Sequence, residues 1–130
     1  HPFFTSLFLV YFISIAPRLY DSGLLLTGSS DGPMEDTNPW MGIWAAVCRT
    51  NHDGTPIRNS KMDEVLTLDE ALTIYTKNPY LAIGWKGYGV IAEGAHADFV
   101  ILENDPFVED SQRLKDVRVQ ATYLEGMRTF

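Results

Sequence analysis

Basic residues are scarce in this chain: ten Lys and Arg stand against seventeen Asp and Glu, a net charge of −7 over 130 residues. No basic stripe offsets that balance, which argues against a phosphate-backbone partner, and no nucleic acid is expected. Cysteine is scarcer still. Cys48 alone cannot form an internal disulfide and fits a reducing compartment, so a cytoplasmic location is expected. A membrane-length apolar run is also missing. The most apolar stretch, residues 3–16 (FFTSLFLVYFISIA), is interrupted by Thr5, Ser6 and Ser14. It falls short of the roughly 18 apolar residues that a bilayer span needs. No basic segment precedes it and no clean small-x-small site follows, so it reads as a buried element and not as a signal peptide. Left uncovered, such a segment would drive association. The chain opens on His1 and not on Met, and is expected to be processed, trimmed or partial.

Metal-ligand spacings are absent too. His1, His52 and His96 form neither H-x-H nor H-E-x-x-H. The glycine-rich stretch from Gly84 to Gly94 lacks G-x-G-x-x-G and a Walker pattern, so nucleotide binding has no support. There is no internal repeat and no low-complexity segment. What is present is a globular composition, 45% hydrophobic and 21% charged, enough for one ordinary domain with a core. The length excludes a complete (β/α)₈ barrel, which takes about 250 residues.

The apolar run Leu24-Leu25-Leu26-Thr27, bounded by Gly23 and Gly28, predicts a strand buried on both faces. A turn-rich loop follows, Gly28 to Thr37. Asn38 then caps a helix with Pro39 at its first position, and Trp40, Ile43, Trp44 and Val47 form its buried face. Thr67 and Glu70 make a T-x-x-E capping box for a second helix, with Leu68, Ala71, Leu72 and Tyr75 on the apolar face and Asn78-Pro79 as its end. Beyond Gly84 short β-rich runs appear at Val90-Ile91, Phe99 to Leu102 and Val117 to Leu124. Glu125-Gly126 predicts a hairpin turn into a last strand, Met127 to Phe130.

The chemistry concentrates in Gly28-Ser29-Ser30-Asp31-Gly32-Pro33, which follows a predicted strand and precedes a helix. Loops at the carboxyl ends of strands are where α/β folds build their sites. Asp31 there is of a type able to ligate a metal or take a proton from metal-bound water, or else simply to hydrogen-bond backbone amides in an Asx turn. The same loop spells G-x-S-x-G, which would make Ser30 a hydrolase nucleophile, with Asp53 and His96 following in chain order. Pro33 and a polar stretch separate Ser30 from the cap at Asn38, however, and leave no helix-end amides for an oxyanion hole. His52 reads as a solvated turn residue, His96 as a turn or strand-edge residue, Cys48 as an inert thiol beside an apolar face, and Trp40 and Trp44 as core anchors.

Three ordered stretches resemble the amidohydrolase superfamily, in the branch that includes N-substituted formamide deformylase. Leu24 to Arg49 is similar to that family's last barrel strand, its loop and the N-P-x-x-G-I-x-A-A-V-x-R helix, matched at Asn38, Pro39, Gly42, Ile43, Ala45, Ala46, Val47 and Arg49. Leu66 to Tyr75 resembles its L-T-x-E-E-A-L-x-x-Y helix. Gly89 to Pro106 resembles G-x-I-x-x-G-x-x-A-D-x-V-x-L-x-x-D-P. The resemblance implies an α/β fold, the C-terminal fragment of a metal-dependent (β/α)₈ barrel plus strands of the flanking β-sandwich. Residues 1–84 would then end the barrel and residues 85–130 would enter the sandwich. It implies that Asp31 is the aspartate after the eighth strand, a metal ligand and general base acting on the hydrolytic water. It further implies a divalent metal, zinc, and a small-molecule amide or cyclic amide substrate. The family's H-x-H, lysine and remaining histidine ligands have no counterpart here, and Ser29-Ser30-Asp31 stands where the family has G-S-D. The chain alone is therefore expected to be inactive, and to self-associate or pair with the missing part. Two other readings stand beside it: a non-catalytic association module, and a serine hydrolase using Ser30.

Overall fold

The computed structural model describes residues 18–30, 32–33, 36–50, 55 and 65–130. The apolar stretch of residues 3–16 lies outside them. After a helical turn at residues 18–21 the chain passes through Leu26 into helix α1 (Pro39–Cys48). The Asn38 side chain accepts the Trp40 amide at 3.1 Å, satisfying one of the unpaired donors of the first turn. Pro39 fits beside it because its missing N–H would have had no intrahelical partner. The helix ends where Arg49 turns into the left-handed region at φ 48°.

Helix α2 (Leu68–Tyr75) opens on the expected capping box: Glu70 N–H donates to Thr67 Oγ1 and Thr67 N–H to Glu70 Oε2. Asn78-Pro79 does not terminate this region. Thr76 breaks α2, and a short helix α3 (Lys77–Ala82) follows with Pro79 inside its first turn. Proline is tolerated there because first-turn amides lack helical acceptors. The stop comes at Gly84, φ 77°, where Gly84 N–H reaches the Leu81 carbonyl and Trp85 N–H the Tyr80 carbonyl. That pair of bonds is the Schellman arrangement.

The C-terminal half is a three-stranded antiparallel sheet, ordered β1 (Phe99–Leu102), β2 (Val119–Leu124), β3 (Met127–Arg128). Phe99 lies opposite Tyr123 and their rings stack at 4.7 Å. The β2–β3 turn is Glu125-Gly126 as expected, both at positive φ, the combination a two-residue type I′ hairpin requires. Val90-Ile91 forms no strand, since nothing pairs with it and Ile91 is almost fully exposed. A 3₁₀ helix, η1 (Ser111–Asp116), connects β1 to β2. Its Leu114 side chain is buried against α1, and Lys115 Nζ lies 5.0 Å above the Trp44 ring.

The core consists of Leu26, Trp40, Ile43, Trp44, Ala46, Leu66, Ala71, Ile74 and Leu114. Trp40 and Trp44 are core anchors as expected, while Ala46 takes the buried place on α1 that was assigned to half-buried Val47. Residues 24–27 correct the sequence-based expectation. They belong to no strand, and Leu24 (57% exposed) and Leu25 (50%) face outward while Leu26 is buried. A strand exists through a hydrogen-bonded neighbour, and the Leu26 carbonyl here accepts from the Asn78 side chain instead. The described residues thus combine α-helices with an antiparallel sheet and include no parallel strand pair.

Candidate functional site

The approach to the Gly28–Pro33 loop is fastened by the junction of α2 and α3. Gly28 N–H donates to the Ile74 carbonyl at 2.7 Å, and Asn78 Nδ2 donates to the Leu26 carbonyl at 2.9 Å. Asn78 is itself buried, 7% exposed. Between these two bonds the Tyr75 ring presses on Gly28 so closely that a β-carbon there would fall inside it. The Tyr75 hydroxyl covers Gly42 of α1 in the same way. Burial alone pushes the Tyr75 phenol pKa up. A β-carbon at position 28 or 42 would force the Tyr75 side chain out of this place. Past Gly28, Ser30 is half-buried, the Gly32–Pro33 peptide is cis, and Asp31 lies outside the described residues, as do His1, His52 and Asp53.

His96 sits elsewhere, in a seam between the helices and the sheet. Its Nδ1 pairs with Glu125 Oε1 at 2.9 Å and its ring stacks on Tyr88 at 3.7 Å. Tyr88 stacks in turn on Tyr80, with Trp85 tilted against it. Desolvation, then the nearby Glu125 and Asp98 carboxylates and Tyr80, push the Tyr88 phenol pKa up. Asp98 accepts the Glu125 amide at 2.7 Å and the Ala97 carbonyl accepts from Gly126, so the A-H-A-D segment cradles the hairpin turn. This seam was not legible in the sequence, because its rings come from a helix, a loop and a strand edge and share no periodicity. It also bears on the serine-hydrolase reading: no hydrogen bond joins Ser30 to His96, whose carboxylate partner is Glu125.

Cys48 is half-buried, and its thiol donates to the Ser111 carbonyl at 3.2 Å. Burial pushes its pKa up and Asp110 adds to the rise, while a hydrogen bond with the Ser111 side chain and the nearby Lys115 lower it. A raised pKa leaves less thiolate at neutral pH. Thiol reagents at pH 7 are therefore expected to label Cys48 more slowly than a cysteine in a denatured sample, the gap narrowing as pH rises. Equal rates at pH 7, measured by mass spectrometry, would contradict the burial.

Among the described residues, no three His, Cys, Asp or Glu side chains come together in a group able to hold a metal ion. Nor is any helix among them long and apolar enough to cross a membrane.

The three resembling stretches are matched by comparison with known proteins. The profile of the amidohydrolase family covers residues 13–130. The chain belongs to the amidohydrolase family. Amidohydrolases generally use a divalent metal, and the family implies a TIM-barrel-type fold. YtcJ of Bacillus subtilis (strain 168), which carries an amidohydrolase designation, is 34% identical over 109 residues, 83% of this chain and 21% of that protein. N-substituted formamide deformylase of Arthrobacter pascens is 34% identical over 110 residues, 84% of this chain and 20% of that protein. This amidohydrolase chain thus spans about a fifth of the length of the curated relatives it matches. No solved structure matches it significantly.

Proposed function

We propose that these residues are the C-terminal part of a metal-dependent amidohydrolase acting on non-peptide amide or cyclic amide bonds, with Asp31 as general base. The observation that carries the reading is the 34% identity to a formamide deformylase over 84% of the chain. In this reading water adds to the carbonyl carbon of a small-molecule amide while the Asp31 carboxylate accepts its proton. The C–N bond then breaks and the proton passes to the leaving nitrogen, giving a carboxylic acid and an amine. For a formamide the acid is formate. A divalent metal, zinc in this proposal, polarises the carbonyl and lowers the pKa of water when bound. Asp31 is the one residue of this chain given to it, with its other donors outside these 130 residues. Leu24, Leu25 and the exposed Val100 and Leu124 of the sheet support pairing with further polypeptide or self-association, since apolar surface of that kind is normally covered.

The test uses the longest natural polypeptide that carries this chain. It is expected to release amine from N-alkyl- or N-arylformamides and to lose that activity to a chelator. The 130-residue chain alone is expected to show no turnover and less than stoichiometric zinc on metal analysis. Stoichiometric zinc held by this chain alone would overturn the assignment of the remaining donors elsewhere.

A further inference from the structure

We propose that His96 is a pH-sensitive buckle: protonation of its ring draws the β2–β3 turn more tightly against the helical half of the chain. Its backbone is fixed first, since the Gly87 carbonyl accepts the His96 amide at 2.8 Å. The imidazole then lies on the Tyr88 ring, with centroids 3.7 Å apart and planes 12° from parallel, and Tyr88 stacks in turn on Tyr80 of α3. Its Nδ1 meets Glu125 Oε1 of the β2–β3 turn at 2.9 Å. A carboxylate only accepts, so Nδ1 carries a proton in both charge states of the ring. The turn itself is held by two backbone bonds beside the ring. Asp98 Oδ1 accepts the Glu125 amide at 2.7 Å, and the Ala97 carbonyl accepts the Gly126 amide at 2.9 Å.

The groups around His96 favour its charge. Glu125 from the turn and Asp98 from the approach to β1 are carboxylates, Tyr88 from the preceding loop presents a π face, and Tyr80 of α3 stands behind it. Among the described residues no Lys or Arg pairs with His96. After desolvation, Glu125 and Asp98 are the causes that push the Tyr88 phenol up, so the seam carries a negative potential. Two contacts strengthen when the ring is charged: the Glu125 bond becomes an ion pair, and the Tyr88 stack becomes a cation–π contact. Desolvation opposes the charge. His96 keeps 38% of its side chain in contact with solvent, however, so that cost is small. Imidazole gains its charge between about pH 8 and 5. The turn is therefore held more tightly as pH falls through that range, and the gain is lost again once Glu125 and Asp98 take up protons at lower pH.

Hydrogen exchange of the peptide spanning residues 122–128 reads the buckle, because the Glu125 and Gly126 amides are the bonds it guards. It is measured by mass spectrometry in the longest natural polypeptide that carries this chain, with rates corrected for the intrinsic pH dependence of exchange. Between pH 7.5 and 5.5 protection is expected to rise by about three- to tenfold, the yield of one exposed ion pair and one cation–π contact. His96→Gln keeps a planar polar side chain but no titrating ring, and should show no such rise. Glu125→Gln leaves the ring and its stack in place, and should lose most of it. Ile91→Gln, at an almost fully exposed position outside the seam, should respond as the wild type does. Wild-type protection that stays constant or falls on acidification would overturn the proposal. So would an equal rise in His96→Gln, which would assign the response to another group. Should His96→Gln fail to fold, Glu125→Gln still decides, since an undiminished rise there would equally overturn the buckle.

Discussion

Asp31→Asn is expected to cut turnover by about 10²–10⁴-fold in the enzyme that carries this chain, the range contributed by a general base. Asparagine keeps the volume and hydrogen-bonding reach of aspartate but cannot accept a proton from the hydrolytic water. The loss should therefore fall on kcat, with substrate binding largely retained. Melting temperature and far-ultraviolet circular dichroism should be unchanged, because the substitution is nearly isosteric. A variant with wild-type kcat would remove Asp31 from the mechanism and return it to the role of a turn residue.

The second large effect is on stability. Gly89 sits at φ 69°, and a β-carbon there would collide with the backbone of Thr76 and Lys77, at 2.7 Å from the Thr76 carbonyl carbon and 2.9 Å from the Lys77 Cα. Neither obstacle is a side chain that can rotate away. Gly89→Ala thus combines left-handed backbone strain of about 1–2 kcal/mol with overpacking of about 1–3 kcal/mol. Gly84 is the internal control, with φ 77° but open space around a β-carbon. Gly84→Ala should carry the backbone strain alone, about 1–2 kcal/mol. Urea denaturation of both variants decides the matter. Equal losses would show that the chain does not pass so close over the α2–α3 junction.

What the sequence conveyed well was local chemistry. The Asn38-Pro39 start, the Thr67/Glu70 capping box and the Glu125-Gly126 turn each depend on residues within a few positions, and each stands in the structure as expected. The misreadings involve distant partners. Leu24 to Thr27 reads as a buried strand because its composition suits one, yet pairing is a property of neighbours that composition does not contain. Asn78 reads as a helix stop because the residue before proline usually leaves the helical region. Its amide instead serves a carbonyl 52 residues away, and no local pattern encodes that. Likewise Tyr80, Tyr88, His96 and Glu125 carry no common spacing, so their seam emerges only when helix, loop and hairpin meet. The candidate site was legible as a loop and a residue type. The means of holding it was not.

The place of Leu114 bears on the order in which the chain assembles. Among the described residues, eight of the nine in the core cluster precede residue 75, and Leu114 is the exception. Helices α1 and α2 and the β2–β3 hairpin close short loops and can form early, since local contacts cost little chain entropy. Seating Leu114 against α1 closes a far longer loop and brings the sheet to the helices at the same moment. Docking of η1 is then expected to be a late step of folding, and weakening it should speed unfolding more than it slows refolding.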